Sequence, residues 1–128
     1  MELNLKQQQL LNFRAVTISD LNAVTSLYQQ HNTAISNTNF KFNHHFGLPL
    51  YVAEWNNEIV GYSYVVLVNP NDYCLKTNIA TAYSNEPINK NLMLKTEYFF
   101  KKEWQHVSSK NLTIAIDQLV KWLNNSIS

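Results

Sequence analysis

Four histidines and one cysteine are the side chains of this chain best suited to metal binding or nucleophilic chemistry. His44 and His45 are adjacent, so they point in different directions on either a strand or a helix, and a metal site would need a third ligand nearby. His31, His106 and Cys74 do not stand at a spacing typical of a metal site. We interpret His44–His45 as a surface or loop pair and expect no metal.

The composition indicates a folded protein without a strongly charged partner. The chain has 128 residues, a formal net charge of +1 and 45% hydrophobic residues, which is enough to bury a core in one domain. Scattered Lys and Arg give no basic face for nucleic acid or an anionic membrane. The start MELNLKQQQLLNF is too polar for a signal peptide, and no apolar run approaches membrane-spanning length. We expect a cytoplasmic protein that binds neither nucleic acid nor membrane.

The strongest local pattern is a β-hairpin. Two arms rich in β-branched and aromatic residues, Leu50–Glu54 and Ile59–Val68, flank the turn sequence WNNE. Because Asn tolerates the left-handed backbone conformation, Asn56 and Asn57 suit a two-residue hairpin loop. Gly61 interrupts the second arm, which indicates a bulge or a close backbone approach.

Helices and further strands surround the hairpin. Residues 12–17 predict a short strand, and a helix follows whose cap is Ser19 or Thr17. Tyr73–Tyr83 has little regular period and predicts an extended loop or a short helix. Leu92–Trp104 predicts a long strand with partial alternation of faces. The last helix is predicted by apolar residues at helical spacing, namely Leu112, Ala115, Ile116, Leu119 and Leu123.

This order of elements predicts an α+β sandwich, in which helices cover a mixed, mostly antiparallel sheet. The absence of an obvious linker or internal repeat indicates a single domain over residues 1–128. Residues 1–11 are expected to form an N-terminal arm of that domain.

The opening and the hairpin resemble the GNAT superfamily of N-acetyltransferases. FRAVTISDLNAVTSLYQQH is similar to the family's first strand and helix, with Asp20 and Leu21 in matching places. LYVAEWNNEIVGYSYV is similar to its hairpin, through Val52–Glu54 and Glu58–Tyr62. The end of the first helix and the Gly-Tyr-Ser-Tyr arm resemble the phosphinothricin-type branch. The resemblance covers roughly the first half of the chain and implies a GNAT-like fold.

The resemblance also implies acetyl-CoA as cofactor. The family binds its pyrophosphate with a Q/R-x-x-G-x-G/A loop at the start of the third helix, where backbone N–H groups favour an anion. By position before the last helix, the residues of that loop are Ser108, Ser109, Lys110, Asn111, Leu112 and Thr113. All three signature positions differ, because Ser108, Asn111 and Thr113 replace the family's residues. Lys110 and the Ser hydroxyls partly compensate for this difference.

Glu97 is the catalytic residue that the resemblance implies. It stands near the place where phosphinothricin-type enzymes carry a strand Glu thought to act as base, with the register off by about one residue. The alternative is a solvated strand residue beside Lys95 and Lys101. The chain ends where the family continues with about two more strands and a helix, so the resemblance implies a truncated domain that lacks its C-terminal strands.

Two functions remain open, with a different α+β fold as a third interpretation. The first is an acetyl-CoA-dependent N-acetyltransferase acting on a small amine, with its cofactor cleft completed by a second copy of the chain. The second is a catalytically inactive GNAT-like module that dimerises and binds a small ligand or a protein partner. We expect a homodimer along Leu92–Trp104 or the last helix, because an unpaired strand edge and exposed aromatic side chains are costly.

Overall fold

The computed structural model describes residues 11–31, 42–69, 72–83, 87–104 and 108–127. The strands are β1 (Leu11–Ala15), β2 (Leu48–Trp55), β3 (Glu58–Asn69) and β4 (Asp72–Ile79). The α-helices are α1 (Leu21–Gln30), α2 (Ile88–Trp104) and α3 (Ser109–Ile127), and short 3-10 turns cover Ile18–Asp20, His44–Phe46 and Thr81–Tyr83. Within these ranges, none of the helices combines the length and apolarity that crossing a membrane requires.

The four strands form one antiparallel sheet in the order β1-β2-β3-β4. Helices cover both of its faces, so the predicted α+β fold with a mostly antiparallel sheet between helices is confirmed. The predicted strand over residues 12–17 is β1, and the helix that follows it is α1. The predicted N-terminal arm lies outside the described residues, apart from Leu11, which begins β1.

The predicted hairpin is confirmed as β2 and β3. Asn56 and Asn57 adopt φ angles of 53° and 67°, the left-handed conformation that a two-residue hairpin loop needs. The pairing of Trp55 with Glu58 closes the turn.

Gly61 lies beside a β-bulge and where two strands approach closely, as its position in the hairpin predicts. Ile59 and Gly61 pair with consecutive residues of β2, so Val60 between them is the extra residue of a β-bulge. A Cβ atom on Gly61 would lie 2.6 Å from Cδ1 of Ile79 on β4. The glycine therefore allows β3 and β4 to approach closely beside the bulge.

The alternating side chains of β3 pack into two layers. Helices α1 and α3 cover one face through a buried cluster of Val24, Leu27, Tyr28, Phe42, Phe46, Val52, Tyr62, Tyr64, Val66 and Leu123. Helix α2 begins on the other face in a cluster of Ala53, Val60, Ile79, Ile88 and Leu92. A third cluster, Leu50, Val65, Phe100, Leu112 and Ile116, joins α2 to α3 where β2 begins.

Asn124 of α3 fixes the chain beside the first of these clusters. Its side-chain Oδ1 accepts a hydrogen bond from the Phe42 N–H at 2.8 Å, and its Nδ2 donates to the Phe42 carbonyl at 2.9 Å. The Phe42 ring packs edge-on against Phe46 with centroids 5.1 Å apart. The amide of Asn124 therefore satisfies both backbone polar groups of a residue whose side chain is in the core.

The predicted strand over Leu92–Trp104 is wrong, because this segment belongs to helix α2. Its buried residues recur every four positions, at Ile88, Leu92, Thr96 and Phe100, which is the spacing of one helical face. Leu94 and Tyr98 shared a face with Leu92 in the predicted strand, but on the helix they are 55% and 70% exposed. The argument for dimerisation along an unpaired edge of this segment therefore fails.

The segment Tyr73–Tyr83 also differs from its prediction as a loop or short helix. Its first part is β4, which pairs with β3 from Leu67↔Tyr73 to Gly61↔Ile79. The second part is a 3-10 turn. In β4 an apolar run, Tyr73–Leu75, is followed by a polar run, Lys76–Asn78, so its sequence lacks the alternation that predicts a strand.

A buried pair of hydroxyls links β3 to α2. Ser63 and Thr96 are fully buried, and their hydroxyl oxygens lie 2.6 Å apart. Ser63 Oγ also accepts a hydrogen bond from the N–H of Tyr51, and Thr96 donates to the carbonyl of Leu92. Each polar group therefore has a partner, as buried hydroxyls require.

An ion pair fixes the connection between β1 and α1. The Arg14 guanidinium donates two hydrogen bonds to the Asp20 carboxylate, at 2.7 and 2.9 Å, and one to Glu54 at 3.4 Å. Asp20 also accepts from the N–H and hydroxyl of Thr17. These bonds, led by the two from Arg14, hold the pKa of the Asp20 carboxyl at about 2.

Replacing Asp20 should therefore destabilise the protein. Because its folded pKa lies below the ordinary value of 3.8, the ionised carboxylate stabilises the fold above that value and loses its effect as pH falls towards 2. We expect Asp20→Asn to lower the free energy of unfolding at pH 7 by roughly 2 kcal/mol. Urea denaturation at pH 7 and pH 3 tests this, with a smaller difference between wild type and variant at pH 3. Glu58→Gln, at an exposed turn position, is the matched control.

Candidate functional site

The outer edge of β4 is one of the two open edges of the described sheet, and the other is that of β1. Among the described strands, β4 is last in the sheet order and pairs with β3 alone. Its residues are half-buried or exposed until Ile79. An unpaired strand edge offers N–H and C=O groups to a ligand or to another chain.

Helix α2 packs over one face of the sheet and contacts β4 on one of its sides. Near its start, the Thr77 hydroxyl donates a 2.5 Å hydrogen bond to Asn89 Oδ1. Near its end, the rings of Phe100 and Tyr73 lie 4.6 Å apart. Because Thr77 is near the end of β4 and Tyr73 near its beginning, the helix and strand run in opposite directions side by side.

The flank of α2 beside the β4 edge carries charged side chains. On the other flank, Lys95 Nζ lies 6.0 Å from the ring centroid of Phe13 in β1. At about 100° per residue, Lys90, Glu97 and Lys101 lie on the flank opposite Lys95. All three are exposed. Glu97, which the sequence placed on a strand, thus lies on a helix, on the side of the open edge.

The start of α2 has the properties of an anion site. Pro87 has no N–H, and its carbonyl accepts the hydrogen bond of the Asn91 N–H at 3.2 Å. The N–H groups of the first turn have no acceptor within the helix, and the helix dipole adds positive potential there. Lys90 adds a cation in the same turn. An anion at the end of the β4 edge would therefore be favoured.

The other face of β4 carries polar groups beside two tyrosines of β3. Asn78 pairs with Tyr62 and Lys76 with Tyr64 across the strands. Asn78 Nδ2 donates a 2.9 Å hydrogen bond to the Tyr62 hydroxyl. Burial raises the pKa of both tyrosines above its ordinary value, so both remain neutral hydroxyls at physiological pH.

His31 lies at the end of β4, which the sequence does not predict. Its Nε2 is 2.8 Å from the carbonyl oxygen of Ile79, which is 48 residues away in the chain. A carbonyl oxygen can only accept, so Nε2 carries the hydrogen. No local sequence pattern could place this imidazole beside β4.

The predicted loop Ser108–Thr113 begins α3, as expected for a helix start. The Ser108 hydroxyl accepts a hydrogen bond from the Asn111 N–H at 3.1 Å, and Leu112 is buried. Thr113 lines a cavity of about 240 Å³ together with His44 and Asp117. This loop follows a helix instead of a strand, and it lies on a different helix from Glu97.

The predicted residues of this loop are mostly exposed, namely Ser108, Lys110, Asn111 and Thr113. His44 and His45 are exposed as well, with ring centroids 4.2 Å apart. Among the described residues, no group of three His, Cys, Asp or Glu side chains is arranged to hold a metal ion.

No protein-family model matches the chain, and no curated protein matches it. Two solved structures are similar to it, both of an aminoglycoside acetyltransferase from an uncultured soil metagenomic sample, one in complex with sisomicin and one with trehalose. The sisomicin complex is 20% identical, with 75% of this chain and 73% of that chain covered and a TM-score of 0.48. The trehalose complex is 20% identical, with 74% and 72% covered and the same TM-score of 0.48.

The hydroxyl of Tyr62 should contribute to stability and to its pH dependence. Tyr62→Phe removes the hydrogen bond from Asn78, so we expect a loss of about 1 kcal/mol at pH 7. Because burial raises the folded pKa of Tyr62, the neutral hydroxyl stabilises the fold below about pH 10, and this effect declines as pH rises above it. Chemical denaturation between pH 7 and pH 11 should therefore show a shallower alkaline decline for Tyr62→Phe. Tyr98→Phe, at an exposed position, should match the wild-type slope.

Proposed function

We propose that this chain is a GNAT-like protein that binds acetyl-CoA along the outer edge of β4 and transfers its acetyl group to a small amine. The observation that carries this proposal is the open edge of β4, with the start of α2 held beside its end by the hydrogen bond from Thr77 to Asn89. The GNAT-like sequences of the opening and the hairpin support it, because they fall on β1, α1, β2 and β3 in the family's order. The family also holds its cofactor beside the fourth strand.

The pyrophosphate is proposed to bind at the start of α2. This is the helix that follows β4, so the family's Q/R-x-x-G-x-G/A pattern falls on residues 84–89 in place of Ser108–Thr113. Pro87 and Asn89 stand where the pattern has small residues. Lys90 supplies a cation in the first turn. Ser108–Thr113 is the second candidate, and its Ser108 hydroxyl already accepts from one N–H of its own first turn.

Bound acetyl-CoA would supply an acetyl group activated as a thioester. The amine nitrogen would bond to the acetyl carbon, the C–S bond would break, and CoA would leave as a thiolate that takes a proton from water. Glu97, on the flank of α2 beside the edge, is proposed to accept the proton that the acceptor amine loses, either directly or through a water. A backbone N–H of β4 is proposed to donate to the thioester carbonyl oxygen, where negative charge develops. Acetyl-CoA and Glu97 would then lie together beside the β4 edge.

A second candidate function is an inactive GNAT-like module that dimerises and binds a small ligand or a protein partner. The observation that favours it is the start of α2, where Pro87 and Asn89 replace small residues and the Asn89 side chain is hydrogen-bonded to Thr77. Side chains at these positions reduce how closely a phosphate can approach the backbone.

Binding of acetyl-CoA distinguishes the two functions. If the cofactor binds, the melting temperature should rise with its concentration, because a ligand at 100 times its dissociation constant adds about 2.7 kcal/mol of stability. Lys90→Ala should weaken binding, measured by titration calorimetry, whereas Lys102→Ala on the same helix should not. If Lys110→Ala weakens binding of acetyl-CoA and Lys90→Ala does not, the pyrophosphate binds at the start of α3 instead. If the melting temperature does not rise at millimolar acetyl-CoA, the inactive module is the function that remains.

The role of Glu97 is tested separately from binding. With an amine acceptor identified by release of free CoA thiol across a panel of primary amines, Glu97→Gln should lower kcat by about 10²–10⁴. The affinity for acetyl-CoA should stay unchanged, because the carboxylate is proposed to act on the acceptor. Glu103→Gln, an exposed change on the same helix, is the control. Equal rates for Glu97→Gln and wild type would remove Glu97 from the mechanism.

A further inference from the structure

A groove without charged residues crosses the surface between the start of α1 and α3. Its volume is about 300 Å³, and its lining residues are Val16, Thr17, Ile18, Leu21, Leu48, Pro49 and Leu119. Leu119 brings α3 to one side of the groove, and Leu48 and Pro49 bring the start of β2 to its floor. This surface is separate from the β4 edge.

Ile18 both lines this groove and projects from it. Its side chain is 79% exposed, the largest exposed fraction among the large apolar side chains of the described residues. The backbone around it is held in a 3-10 turn by the Asp20 N–H, which donates to the Thr17 carbonyl at 3.0 Å. The Arg14–Asp20 ion pair fixes the same turn. Ile18 therefore projects from a turn whose backbone is held by hydrogen bonds and an ion pair.

Apolar surface extends from the groove along α3. Trp122 is 49% exposed and lies three positions after Leu119, so the two side chains are neighbours on the helix surface. A stable protein contact buries about 800 Å² on each partner, which is more than one side chain in a groove supplies. The contact must therefore include Trp122 as well as Ile18.

The arrangement fits a second copy of the same chain. In a two-fold symmetric contact, one patch must carry both the projecting group and the surface that receives it. Ile18 and the groove satisfy this condition because they are adjacent. All seven lining residues are uncharged, so two copies facing each other bring no like charges together. A partner recognised by charge would find no complementary group in the groove.

We propose that two copies of this chain associate about a two-fold axis at this surface, with Ile18 of each entering the groove of the other. Because Ile18 lines the groove that receives it, the two Ile18 side chains lie close together across the axis. The proposal does not depend on acetyl-CoA binding or on catalysis.

Light scattering after size-exclusion chromatography across a micromolar concentration series tests this contact. Wild type and Ile18→Leu should have twice the mass of one chain, and Ile18→Glu and Ile18→Lys should each have the mass of one chain. Leu94→Glu, at an exposed apolar position on α2, should remain dimeric. Circular dichroism should show the wild-type spectrum for every variant, because the side chain at position 18 is mostly exposed.

Mixing the two charged variants gives the sharpest result. Ile18→Glu and Ile18→Lys should form a heterodimer together at concentrations where each alone is monomeric, since opposite charges then meet across the axis. A folding defect could not produce this recovery. Three results would each overturn the proposal. They are a monomeric wild type, a dimeric Ile18→Glu variant, and a monomeric Leu94→Glu variant.

Discussion

Strand β3 is covered on both faces, and this constraint determines where the other elements lie. One set of its alternating side chains, including Tyr62, Tyr64 and Val66, packs against α1 and α3. The other set includes Ser63 and Val65 and meets α2. Because side chains alternate strictly along a strand, a shift of one residue would exchange the two sets. The hairpin turn and the bulge beside it therefore determine the packing of both helical layers.

The exchange would be costly because the two faces are chemically different. Ser63 is satisfied by Thr96 and by the backbone of Tyr51 only on the α2 face. The Tyr62 hydroxyl meets Asn78 only on the other face. A buried polar group that loses its partner costs about 1–3 kcal/mol. These few hydrogen bonds thus select one register for a strand whose apolar residues alone would tolerate either.

The sequence predicted the elements whose signals are local and missed those that depend on the rest of the fold. Asn56 and Asn57 specify the hairpin by their own backbone preferences. The sequence of α2 predicts a strand because its apolar Leu94 and Tyr98 are exposed while its polar Thr96 is buried, which hides the helical period. The strand prediction also hides the start of α2, where we propose that the pyrophosphate binds. The contact of His31 with Ile79 depends on tertiary packing and has no local signal.

The clamp between Asn124 and Phe42 has a consequence for how the chain folds during synthesis. Its two ends are 82 residues apart, and Leu123 lies in the same buried cluster as Val24 and Tyr62. The ribosome releases residues from the N-terminus onward, so β1, α1 and the hairpin are made long before the helix that completes their core. Contacts between distant residues also slow folding, because a long loop must close first. The aromatic core therefore stays open until α3 has been added, and the nascent chain would expose it to chaperones until then.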